Sequence, residues 1–162
     1  MIRISFIVTI TLMISVSLIA GLFFSFTIAV SPGLKHLSDI EYLKAMKSIN
    51  KEILNPLFFI CFFSPIVVFP LVLYFQQTII SNRWLLILGF VFYFLVILIT
   101  ATINVPLNNQ LETFEIQNAS QIEISKMRHL FESRWILWNN IRTVLSAISL
   151  IFLIMSKIEL SK

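Results

Sequence analysis

Two indoles, an amide and a guanidinium recur on one stripe of an otherwise apolar segment, a combination that suits a flat, partly polar small molecule. The stretch is Arg134-Trp135-Ile136-Leu137-Trp138-Asn139-Asn140-Ile141-Arg142, and it runs on into apolar sequence as far as Met155. On a helix of about 3.6 residues per turn, Trp135, Trp138, Asn139 and Arg142 share an arc of roughly 100°. An arginine about two turns inside a spanning helix costs on the order of 3 kcal/mol in hydrocarbon, so it must face protein or trapped water. The competing reading of Trp135 and Trp138 is the aromatic belt found at membrane interfaces.

Partners for such an arginine have to come from other segments. Asn50 and Asn55 precede an apolar run that begins at Leu57, and Asn104 and Asn108 close another in Asn104-Val105-Pro106-Leu107-Asn108. Asn104 and Asn108 fall on one face if a helix continues through Pro106, or cap and end it if it stops there. Asn55-Pro56 also has the form of an N-cap followed by a first-turn proline. The asparagines are thus read in two ways, as a binding site or as interhelical amides that lock the bundle. His129, seven residues before Ile136, is a candidate general base, or a solvated surface histidine.

The elements that must position these groups are written in the composition. Of 162 residues, 58% are hydrophobic and 12% charged, 16 are phenylalanine, and mean hydropathy is +0.93. That is an integral membrane protein. A net charge of +4 does not indicate nucleic acid, because the basic residues are spread over connecting segments. The one cysteine, Cys61, permits neither an intrachain disulfide nor a cysteine metal cluster. No His, Cys and carboxylate set has metal-ligand spacing, no glycine-rich phosphate loop is present, and no span contains an acidic residue. The expectation is a chain without metal or cofactor, in contact with membrane lipid.

Four apolar runs are long enough to cross a core of about 30 Å, at residues 4–30, 57–75, 84–102 and 135–155. The first is too long for a cleavable signal peptide, and Pro32 would follow the cut. These runs predict an all-α, multi-pass four-helix bundle, and no internal repeat divides the 1–162 membrane domain. Ser17, Ala20, Gly21 and Ser25 form a small-residue stripe for close helix packing. Ser31-Pro32-Gly33 ends the first helix, and Ser38-Asp39-Ile40-Glu41 reads as a capping box. The helix that follows is amphipathic, with Lys44, Lys47 and Lys51 on its basic face, and should lie at the membrane surface. Pro65 and Pro70 bend or locally unwind the second span. The short connection from Gln76 to Arg83 returns the third span antiparallel to the second. A second capping box, Ser120-Gln121-Ile122-Glu123, begins one long fourth helix from about Gln121 to Met155, half of it outside the membrane. With alternating spans, Asn50, Asn55, Asn104, Asn108 and the stretch from Trp135 to Arg142 all gather at one end.

Asn104-Val105-Pro106-Leu107-Asn108 followed by Arg134-Trp135-x-x-Trp138-Asn139-x-x-Arg142-Thr143, with Ser31-Pro32-Gly33-Leu34 and Asn50-x-x-Ile53-x-Asn55-Pro56 before them, resembles the anthrone oxygenase-like membrane proteins. The resemblance covers nearly the whole chain. It implies a cofactor-independent, O₂-dependent oxidoreductase acting on anthrones or other small aromatics. In that role Trp135 and Trp138 would stack on the rings, and Arg142 with Asn139 or Asn104 would hydrogen-bond the enolate oxygen. Many members have no assigned substrate, and the rival expectation is a non-catalytic membrane protein that binds a lipid or a membrane partner. For orientation, the connections at the polar end hold Lys35, Lys44, Lys47, Lys51, Lys126, Arg128 and Arg134, against Arg3, Arg83, Lys157 and Lys162 at the other. The positive-inside rule then places the polar end in the cytoplasm of a cell-membrane protein and both termini outside.

Overall fold

The computed structural model describes residues 2–75 and 83–157; the 76–82 connection and Lys162 lie outside them. The described chain is helical, in the order α1 (Ile2–Ser25), a five-residue π-helical turn (Phe26–Val30), α2 (Ser31–Leu34), α3 (Asp39–Glu52) and α4 (Pro56–Phe75). Then come α5 (Arg83–Ile99), a second π-helical turn (Thr100–Asn104), α6 (Val105–Thr113) and α7 (Gln121–Met155). Four continuous helical stretches, Phe6–Leu34, Pro56–Phe75, Arg83–Thr113 and Gln121–Met155, are long and apolar enough to cross a membrane.

The first and third spans are longer than the sequence suggests, for one shared reason. A proline donates no hydrogen bond to the turn before it, and in α geometry its ring clashes with the carbonyl four residues back. Here the preceding turn widens instead of breaking. The Ser31 amide bonds the Phe26 carbonyl and the Val105 amide bonds the Thr100 carbonyl, each five residues back and each just before a proline. Ser31-Pro32-Gly33 therefore does not end the first helix, which runs on to Leu34. The third crosses Pro106 to reach Thr113. The second span likewise stays helical across Pro65 and Pro70 rather than unwinding, and the Tyr93 hydroxyl donates to the Phe62 carbonyl at 2.9 Å beside the first of them.

Both capping boxes form as expected. The Ser38 and Ser120 hydroxyls accept from the Glu41 and Glu123 amides, and each glutamate reaches back to the serine amide. Hydrogen bonds from the Ser120 hydroxyl and amide hold the Glu123 carboxyl below the usual carboxylate range. This cap is complete above the ordinary carboxylate pKa and is lost as pH falls through the lowered one. Ser120→Ala is expected to cost about 1 kcal/mol, read as a lower unfolding temperature with the fold retained.

Two cores result. One joins Leu12, Val16, Phe23, Phe69, Leu86, Tyr93 and Leu153; the other, at the α3 end of the bundle, joins Tyr42, Leu43, Met46, Leu107, Leu111, Phe131 and Trp135. The amphipathic α3 belongs to the second core. Its apolar face is covered by α6 and the projecting half of α7, instead of being turned wholly to a membrane surface. Lys47 reaches across to the Glu112 and Phe114 carbonyls at 2.8 Å, closing the end of α6. Arg128 of α7 reaches Asp39 at 3.0 Å and the Leu37 carbonyl at 2.7 Å, tying the start of α3 to α7, and is held within its own helix by Glu132 at 2.9 Å.

The small-residue stripe has a different outlet. Of its four residues Ala20 is buried, but Ser17, Gly21 and Ser25 face outward, and a Cβ on Gly21 would meet nothing within 4 Å. The close approach belongs to α5 and α7. A Cβ on Gly89 would stand 3.2 Å from the Ser149 carbonyl oxygen, and the Ser149 hydroxyl donates to the Gly89 carbonyl at 2.7 Å.

Candidate functional site

Between the two cores lies a cavity of about 90 Å³ that opens to one side. Phe23 and Phe26 form one wall and Asn50 of α3 the roof; Thr100 and Asn104 of the second π-helical turn and Asn108 of α6 form a third side. Trp135, Asn139 and Arg142 of α7 complete it. Their spacing along α7 puts them on one stripe, and the widened turns bring Thr27 and Thr100 opposite them.

Arg142 is 5% exposed. Its Nη1 donates to the Thr100 hydroxyl at 3.1 Å and its Nη2 to the Asn139 Oδ1 at 3.3 Å. The guanidinium lies over the Phe23 ring at 4.3 Å and 5.8 Å from the Trp135 ring. Among the described residues both ion pairs belong to Arg128, so Arg142 has no carboxylate partner there. A buried cation left without a counter-charge is costly, and ring faces and hydroxyls recover only part of that cost.

Asn139, 1% exposed, directs its amide to the Phe23 carbonyl and the Thr27 hydroxyl at 3.2 and 3.1 Å. It holds α1 to α7 and turns its oxygen to Arg142. Trp135 donates from Nε1 to the Asn108 Oδ1 at 3.0 Å, which fixes the indole plane beside Phe26.

Four buried polar atoms are left unpaired among the described residues: the Arg142 Nε, the Asn50 Nδ2, and both the Oδ1 and Nδ2 of Asn104. All three residues line the cavity, and Asn104 is 1% exposed. Orphaned buried groups are rare because each forfeits its hydration. Together they offer three donors and one acceptor, beside a positive charge. The complement is an oxygen carrying negative charge, with a hydroxyl beside it.

Of the sequence candidates, Arg142, Asn139, Trp135, Asn104, Asn108 and Asn50 meet here. Three others do not. Asn55 accepts from the Phe58 amide at 3.0 Å and donates to the Glu52 carbonyl, the work of a helix cap, and it is exposed. Trp138 lies to one side of the stripe, in an outer groove with Pro106, Gln110 and Arg134. His129 is exposed on another face of α7, in a groove with Lys35, Glu132 and Ser133. It is not placed to take a proton from anything in the cavity.

Thr27, Thr100 and Phe23 escape a reading of the sequence. Thr100 stands one turn before Asn104, a spacing that carries a signal once the helix is known to continue; Phe23, in a chain rich in phenylalanine, carries none. Among the described residues no three His, Cys, Asp or Glu side chains are grouped to hold a metal ion.

The family model described as anthrone oxygenase matches residues 58–152, more than half of the chain. The match takes in Thr100, Asn104, Asn108, Trp135, Asn139 and Arg142, while α1, the first π-helical turn and α3, which supply Phe23, Phe26 and Asn50, precede it. No curated protein and no solved structure matches the chain.

Proposed function

From the premise that this chain belongs to the anthrone oxygenase family, we propose that it binds a flat ring ketone of the anthrone type beside Trp135 and promotes its oxidation by O₂. The observation that carries the reading is Arg142, a buried cation with no carboxylate beside it and an Nε left free toward the cavity. An anthrone meets that need. Loss of a proton from its methylene carbon places charge on the ketone oxygen, and Arg142 with the Asn104 amide stabilises the enolate. The cavity lining contains no carboxylate or histidine, so water takes the proton and the field of Arg142 supplies the acidity. The enolate carbon then gives its electron pair to O₂, and a carbon–oxygen bond forms. Cleavage of the resulting hydroperoxide's O–O bond, with loss of the second methylene hydrogen, leaves a quinone carbonyl and one water. One anthrone and one O₂ thus yield one anthraquinone and one water.

In this reading Trp135 stacks on the ring, Asn50 and Asn104 bond its oxygens, and neither His129 nor Trp138 touches it. The polar end faces the cytoplasm, as the basic residues in the connections beside it favour. The test is O₂ uptake by the purified protein in nanodiscs supplied with anthrone. Uptake is expected to exceed that of empty nanodiscs by at least about a hundredfold, the usual scale of one oxyanion-stabilising group. Uptake equal to the empty-nanodisc rate, with bound phospholipid as the only retained small molecule, would replace this reading with that of a lipid-binding protein.

A further inference from the structure

The cavity's size and the position of its mouth point to how its occupant arrives. At about 90 Å³ the cavity is smaller than the 150 Å³ or so known to admit a single benzene ring, so it takes the polar edge of a fused-ring molecule and no more. The remaining rings must lie in the mouth. Of the lining residues, Leu54, before the first turn of α4, and Val105, at the start of α6, are exposed and so mark the mouth, with half-buried Phe58 of α4 also in the lining. It lies on the seam between the second and third spans. Deeper in the bundle the seam is closed by Phe69 against Phe90 and Tyr93, and by the Tyr93 hydroxyl on the Phe62 carbonyl. Toward the site, Phe58 and Thr100 both border open space.

The residues that mark the mouth are apolar. Leu54 and Val105 are 64% and 42% exposed, and Leu57 and Ile60 continue the same apolar surface down α4. An apolar surface at the level of a spanning helix faces hydrocarbon, not water. The buried polar groups are thus reached through an apolar mouth. This favours a molecule that is neutral and membrane-dissolved on entry and carries its acidic, oxygen-bearing edge foremost.

We propose that the seam between Leu54, Phe58 and Val105 is a lateral portal from the bilayer, through which an uncharged polycyclic ketone or phenol enters edge-first. Its far rings stay in the portal, beside lipid. The proposal rests on the binding role given to Arg142 and Asn104 above. It adds a route and a specificity: apolar substituents on the rings that remain in the portal project toward hydrocarbon and are tolerated, whereas a charged group there is excluded.

The experiment mixes protein in phosphatidylcholine nanodiscs with vesicles containing anthrone and follows the probe's own fluorescence by stopped flow. Leu54→Trp, and separately Val105→Trp, fill the mouth from exposed positions. Leu137→Trp, at an exposed position on α7 outside the cavity lining, is the control. Each portal variant is expected to slow association about tenfold and to weaken equilibrium affinity as well, because the bound rings share the mouth with the new indole; the association rate is the quantity that reports the route. Unchanged association in both portal variants, with wild-type binding intact, would overturn the portal alone. Absence of wild-type binding would overturn the reading of the site and the portal with it.

Discussion

Arg142→Met is expected to abolish anthrone-dependent O₂ uptake and to leave the bundle as stable as before, or more so. The two effects share a cause. A hydrogen bond to a charged group is worth about 1.5–3 kcal/mol, and removing one donor from an oxyanion site typically slows turnover by about 10²–10³-fold. The same guanidinium is an expense to the empty protein, because it is buried with no carboxylate partner among the described residues. Replacing buried ionic groups by apolar side chains of similar volume is often neutral, or stabilising by about 1–4 kcal/mol. Methionine keeps the volume, and its flexible chain can fill the space over Phe23. Arg142→Lys, which keeps the charge but loses the planar fork that reaches both Thr100 and Asn139, should fall between. An O₂ electrode and thermal unfolding in detergent read the two quantities separately. Equal uptake by wild type and Arg142→Met would remove arginine from the chemistry, and a sharply destabilised variant would make it a structural residue.

The second large effect is expected far from the cavity. Gly89→Leu should unfold or grossly loosen the protein, whereas Gly21→Leu should be almost silent. In water-free surroundings helices associate by packing and interhelical hydrogen bonds, so the residues that permit closest approach matter most. A Cβ at position 89 would meet the Ser149 carbonyl oxygen at 3.2 Å and the Phe69 ring at 3.3 Å, before any larger group is added. Neither the backbone of α7 nor a fully buried phenylalanine has room to retreat. Over-packing of this kind costs about 1–3 kcal/mol for the first added carbons and more for a branched side chain. The bond from the Ser149 hydroxyl to the Gly89 carbonyl would lengthen as well. Position 21 has open space around it, and there a gain of up to about 1 kcal/mol in helix propensity is the main consequence. Unfolding temperatures in one detergent give the comparison. A tolerated Gly89→Leu would mean that α5 and α7 can separate without loss of the fold.

Much of this architecture is legible in the residues. The serine and glutamate of each capping box mark the starts of α3 and α7, and apolar periodicity carries α7 without interruption to Met155. The stripe on α7 is legible too, as are the asparagines that meet it. Its width is not. An arc of about 100° contains Trp138 at one margin, and only the folded bundle tells which margin turns inward. Asn55 and His129 fail for simpler reasons: one has a backbone amide to cap, and the other points away from the stripe. The ends of the first and third spans fail through proline. A rule that stops helices there is sound for α geometry, but a widened turn satisfies the same steric demand and lets the helix continue. The small-residue stripe was legible as a motif and misleading as a contact, because small side chains permit an approach without compelling one.

The ring and hydroxyls that receive Asn139 and Arg142 of α7 also have a place in time. Phe23, Thr27 and Thr100 all precede Asn139 and Arg142 in the chain. Synthesis runs from the N-terminus, so the first and third spans are already made when the fourth emerges. The buried arginine thus enters the membrane after the first and third spans, when the groups that accommodate it have been made. A permuted chain beginning with α7 would have to insert that arginine first, among lipid tails, at on the order of 3 kcal/mol or more. The order of the segments is thereby part of how this bundle is assembled.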